Sequence, residues 1–187
     1  DGLELVAHWS AGTNGRSSQA LILCHGFPAQ RTLSIAFGET YPALADRLTE
    51  DTGWSVLAFD FRGTGESEGD FSLSGWISDL NSAVAYARGQ EGVTGVWIAG
   101  FGTGGSLGIV VAANDEDVKG VAAFGSPAHF DDWSENPELC LTRAKESGAV
   151  KSEDFPSDFG AWSREFSEYR PELAITKIAP RPIMIVH

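Results

Sequence analysis

VWIAGFGTGGSLGIVVAA, residues 96–113, is the stretch whose reading decides the fold. The apolar run 96–99 reads as a buried strand, residues 100–105 as a glycine-dense turn and residues 106–113 as a small-residue helix. The turn admits three readings. As a nucleophile elbow, G-x-Nu-x-G, it runs Gly100-Phe101-Gly102-Thr103-Gly104, with glycine at the position of the attacking residue. As a dinucleotide fingerprint, G-x-G-x-x-G, it uses Gly100, Gly102 and Gly105. A literal G-x-S-x-G lies four residues further on, centred on Ser106.

Working outward, residues 20–24 (ALILC) form a short continuous apolar run, as in a strand covered on both faces. Residues 54–61 (WSVLAFDF), 118–124 (VKGVAAF) and 183–186 (IMIV) are further strands, and residues 3–9 alternate loosely enough for another. Residues 11–18 are a turn cluster. Between the strands, residues 41–50 read as a helix with Pro42 in its first turn, stopped by Gly53. A second helix carries Trp76, Leu80, Ala83, Val84 and Ala87 on one stripe, with Ser74 as its expected cap. Strands alternating with helices imply a parallel sheet covered on both faces. Residues 25–28, 62–67, 100–105, 125–127 and 187 each follow a strand, so they are expected to meet at its carboxyl edge. Residues 128–180 break the alternation. Acids, aromatics and helix formers mix there, cut by Pro137, Gly148, Pro156, Gly160 and Pro171, which predicts an inserted helical segment rather than a second domain.

Length and composition narrow the classes. The 187 residues are one domain's worth, 42% hydrophobic, with formal net charge −13. That charge argues against a nucleic-acid or anionic-membrane surface, either of which needs a basic patch. Cys24 and Cys140 have no metal-ligand spacing and fit a reduced, cytoplasmic compartment. No cofactor or metal is indicated. The apolar runs stop well short of the ~18 residues of a membrane span.

Several turns in this order resemble the α/β-hydrolase fold, in particular the esterase, lipase and peptidase-like serine hydrolases. His25-Gly26-Phe27-Pro28 resembles the turn after the third strand, and Arg62-Gly63-Thr64-Gly65-Glu66-Ser67 resembles the R-G-x-G-x-S turn after the fourth. Residues 100–105 fall where the elbow after the fifth strand belongs, and residues 128–180 where the helical cap is inserted. The resemblance implies a carboxylic-ester or acyl hydrolase ancestry, with the backbone N–H groups of Phe27 and Thr103 as oxyanion donors. It places the nucleophile at Gly102, which has no side chain to attack with. The acid and base are expected after the seventh and eighth strands, past His187, and the domain is expected to be incomplete at both ends. The ensuing expectation is a catalytically impaired member that keeps a pocket for a small apolar or acyl ligand.

Two alternatives stay open: an active hydrolase using another nucleophile such as Ser106, and a dinucleotide-binding module. Against the first, a strand would have to continue through Gly100-Phe101-Gly102-Thr103-Gly104 to put Ser106 at the turn. Against the second, the strand after the turn ends at Phe124-Gly125-Ser126 without the carboxylate that holds a ribose. His25 is expected to orient the loop carrying Phe27, Asp79 to anchor a loop, and His129 with Asp131 and Asp132 to form an exposed turn. Trp133, Phe155, Phe159, Trp162, Phe166 and Tyr169 are expected to pack the insertion onto the sheet and to line any acyl pocket.

Overall fold

Strand β4 (Gly95–Phe101) is apolar along most of its length because it lies in the middle of a sheet with helices on both sides. The computed structural model describes residues 2–12, 19–27 and 40–187. Most of the turn cluster 11–18, and Pro28, lie outside the described residues. The remaining strands are β1 (Ala7–Ser10), β2 (Gln19–Cys24), β3 (Ser55–Phe59), β5 (Val118–Phe124) and β6 (Ile183–Val186). Their spatial order is β1-β3-β2-β4-β5-β6. β1 pairs antiparallel with β3, and every other neighbouring pair is parallel.

The period-two alternation sorts side chains between two cores. Ile22, Cys24, Leu57, Phe59 and Ile98 face the larger one, with helices α2 (Leu73–Arg88) and α3 (Thr103–Asn114). Leu23, Val56, Ala58 and Ala99 face the smaller one, where Ala45 of α1 (Tyr41–Thr52) packs. α1 starts on Thr40, whose hydroxyl accepts from Ala43 N–H, and ends on Gly53 at φ 75°.

Three local expectations shift. The segment before Ala7 does not join the ladder: Glu4 and Val6 bond instead to the turn around residues 60–68. The cap of α2 is Ser72, accepting from Gly75 N–H at 3.0 Å; Ser74 is inside the helix and bonds to Glu165. At the centre, β4 extends to Phe101 and α3 begins at Thr103, so the six-residue turn contracts to Gly102 alone. Gly104, Gly105 and Gly108 lie inside the helix.

Between β5 and β6 the chain forms α4 (Asp131–Glu135), α5 (Pro137–Ser147), α6 (Phe159–Glu168), α7 (Pro171–Ala174) and a 3-10 turn at Ile175–Lys177. Phe130, Trp162 and Phe166 from this insertion are buried in the larger core. β6 is the outer strand beside β5, and its Met184, Ile185 and Val186 are exposed. Among the described residues no helix is long and apolar enough to cross a membrane.

Candidate active site

All the parallel strands end on one side of the sheet, so the turns after β2, β3, β4 and β5 converge there. Gly102 is the sharpest of them. Its φ of 53° and ψ of −127° lie in a region that costs a residue with a Cβ strain. Among the described residues every positive φ belongs to a glycine. The Gly102 N–H donates to Phe124 O at 2.9 Å and its carbonyl accepts from Gly105 N–H at 3.1 Å, which pins the turn between β5 and the first turn of α3.

The neighbouring glycines are there for close approach. A Cβ on Gly100 would collide with the backbone of Gly104 and Gly105, and one on Gly104 with the carbonyls of Cys24 and His25. Among the described residues, a Cβ on Gly102 would meet only Gly26 Cα, at an ordinary 3.6 Å. Among the described residues the turn is crowded at Gly100 and Gly104 and least crowded at its tip.

Gly26 lies against this tip, and Phe27 follows it. His25 fixes that turn. Its Nδ1 donates to Gly26 O at 2.9 Å, while Nε2 accepts from Phe61 N–H at 3.2 Å and lies 3.1 Å from the Thr64 hydroxyl. The ring is buried against Phe61 and Trp76, and burial lowers its pKa to about 4 despite the bond to Gly26. It is therefore neutral near pH 7, and both nitrogens are engaged in tying the turn after β2 to the turn after β3.

That second turn is anchored by Arg62. Its guanidinium donates to Asp79 on α2 at 2.7 and 3.0 Å, and its backbone N–H to the same carboxylate at 2.8 Å. Trp76 Nε1 donates to Arg62 O at 3.0 Å.

Thr103 and Gly104 open α3, where a helix has no intrahelical acceptor for its N–H groups and carries partial positive charge. Thr103 N–H therefore issues beside the Gly102 tip, with Phe27 on the adjoining turn. Ser106 is fully buried one turn into α3, and its hydroxyl donates to Pro127 O at 2.6 Å. The structure does not bring it to the tip. His129 Nδ1 and Asp131 are 3.1 Å apart on the exposed surface after β5. Cys24 and Cys140 are buried, unpaired thiols; burial raises both pKa values, that of Cys140 to about 12. For the dinucleotide reading, β5 ends at Phe124 and leads into Gly125-Ser126 with no carboxylate.

The site's aromatic wall was only partly legible. Phe27 stacks on Phe71 at 4.2 Å and meets Trp133 edge-on at 5.2 Å. Trp133 was a candidate from the sequence. Phe71, in a polar turn, has no pattern that announces it.

The sequence matches the family model of the alpha/beta hydrolase fold over residues 19–144, and the chain belongs to that family. Among curated relatives, an uncharacterized protein of Mycobacterium tuberculosis is 33% identical over 112 residues, 60% of this chain and 36% of that protein. The thiohydrolase AneE of Aspergillus aculeatus is 34% identical over 128 residues, 64% of this chain and 36% of its own length. The matched part thus spans little more than a third of either relative. Among solved structures, Est1E from Butyrivibrio proteoclasticus with bound ferulic acid superposes with TM-score 0.69 at 23% identity, covering 100% of this chain and 76% of that one. It shares the fold.

Proposed function

We propose that this chain descends from a carboxylic-ester or acyl hydrolase, that it is catalytically impaired because Gly102 stands at the nucleophile position, and that it binds a small apolar or acyl ligand. The observation that carries this reading is the elbow itself: φ 53° and ψ −127° at Gly102, interlocked neighbours at Gly100 and Gly104, and, among the described residues, room at Gly102 for a Cβ. In this reading the N–H groups of Phe27 and Thr103 receive the ligand's carbonyl or carboxylate oxygen, and Phe27 and Trp133 border its apolar body. Ferulic acid on Est1E and the thiohydrolase name of AneE lend support to an acyl ligand. The acidic composition supports a partner that is neither nucleic acid nor membrane, and the unpaired cysteines a cytoplasmic setting.

The test is intact mass after incubation with a fluorophosphonate, together with a titration of 3-phenylpropanoate followed by tryptophan fluorescence. The expected outcome is an unchanged mass and saturable quenching. A stoichiometric adduct would overturn the impaired reading and send the search to Ser106. Saturable binding of NAD(H) with no response to the acid would favour the dinucleotide module.

A further inference from the structure

We propose that Phe71 is a positioning residue for Phe27, through which the inserted helical segment sets the placement of the Phe27 N–H. Phe71 is fully buried, and its ring stacks on that of Phe27 with centroids 4.2 Å apart and planes 15° from parallel. Both of its backbone groups are held by the insertion. Its N–H donates to Ala149 O at 2.8 Å, and its carbonyl accepts from Trp162 Nε1 at 3.0 Å.

The same turn is gripped on either side. Asp70 accepts from the N–H groups of Lys151 and Ser152 at 2.6 and 2.9 Å, and from the Ser152 hydroxyl at 2.6 Å. Glu165 of α6 accepts from Ser74 N–H at 3.0 Å. Trp133 of α4 closes the arrangement, edge-on to Phe27 at 5.2 Å and to Phe71 at 5.9 Å. The Phe27 ring is therefore packed between a residue the insertion holds by its backbone and a residue the insertion supplies. His25 secures the turn as far as Gly26 through the Gly26 carbonyl. One residue further, aromatic packing does the holding. Offset-stacked and edge-on aromatic pairs add directional preference to their burial, so they constrain ring orientation and with it the adjoining backbone.

The donor role of the Phe27 N–H rests on the proposed function; its dependence on Phe71 does not. The experiment measures 15N amide order parameters in wild type, Phe71→Leu and Trp133→Leu, with Val84→Ala on the far part of α2 as a control of comparable core truncation. The expected result is a fall at Phe27 from a rigid value near ~0.85 to below ~0.7 in both test variants. Leu23 in β2 should stay rigid, and the control should leave Phe27 unmoved. Affinity for 3-phenylpropanoate, read in parallel, should weaken about tenfold in Phe71→Leu.

An unchanged order parameter at Phe27 in the folded variants overturns the inference whatever the binding does. If Phe71→Leu does not fold, Trp133→Leu decides, since Trp133 is only partly buried at the margin of the core whereas Phe71 is fully buried in it. Mobility gained at Phe27 in a protein that never bound the acid would uphold the positioning role and defeat the proposed ligand.

Discussion

Gly102→Ser and Gly104→Ala are expected to part company in stability, and the difference follows from where each Cβ would sit. At Gly102 the new Cβ meets, among the described residues, only Gly26 Cα at 3.6 Å, so their packing does not oppose it. The penalty is backbone strain at φ 53°, ψ −127°, of about 1–3 kcal/mol. Loss of glycine's freedom in the unfolded chain offsets this by about 0.4–1 kcal/mol. The net expectation is a loss of about 1–2 kcal/mol, or ~2–8 °C in Tm for a chain of this size.

Gly104 has helical geometry inside α3, where propensity alone would make Ala the better residue by about 1 kcal/mol. Its Cβ, however, would be driven into the carbonyls of Cys24 and His25, backbone atoms held in and just beyond the β2 ladder. We expect Gly104→Ala to lose more than ~3 kcal/mol, beyond ordinary overpacking, or to fail to fold. Urea unfolding followed by tryptophan fluorescence measures both. The reasoning is refuted if Gly104→Ala is within 1 kcal/mol of wild type, or if Gly102→Ser is the more damaging of the two.

Other expectations concern the supports of the site. His25 is held neutral with a folded pKa near 4 against an ordinary 6.5. The unfolded chain therefore binds the proton first, and stability is full above pH 6.5 and declines as pH falls toward 4. The loss between pH 7 and pH 5 should be about 2 kcal/mol, read from urea curves, and His25→Gln should flatten that slope.

Asp70 moves the other way: burial raises its pKa, but bonds from Ser152 and Lys151 outweigh that and hold it below the usual carboxylate range. Its contribution is present above pH ~4 and lost as acid protonates it. Asp70→Asn should cost about 1 kcal/mol at pH 7 after solvent screening, less at pH 3, by thermal melts in the two buffers. Asp79→Ala removes the acceptor of the Arg62 guanidinium and backbone N–H and should cost about 3 kcal/mol by urea unfolding. Ser106→Ala removes one hydrogen bond to Pro127 O, costs about 1 kcal/mol, and should leave the response to fluorophosphonate and to 3-phenylpropanoate as in wild type.

What the sequence determined by itself is what depends on local patterning. Residues 118–124 and 183–186 form strands at the bounds their apolar runs predict, because a short run of β-branched and other apolar residues between turn signals favours extended backbone locally, whether it ends up buried as β5 or exposed as β6. Gly53 ends α1, since a left-handed turn there favours glycine whatever packs nearby. The ordered glycine turns after successive strands were enough to indicate the family.

Tertiary structure decided what depends on partners distant in the chain. Six residues dense in glycine read as a loop, because glycine lowers helix propensity. Only the nearness of β2, β4 and β5 shows that Gly104, Gly105 and Gly108 are helical glycines, small so that α3 can lie on the sheet. Ser74 resembles a cap as well as Ser72 does; Glu165, 91 residues away, engages the first and leaves the second to the helix. Phe71 carries no periodic signal at all, and its stacking on Phe27 exists only because the insertion returns to grip its backbone. Local sequence reports the conformation a segment prefers, but a close approach is a property of two surfaces, and the second surface is set by the fold.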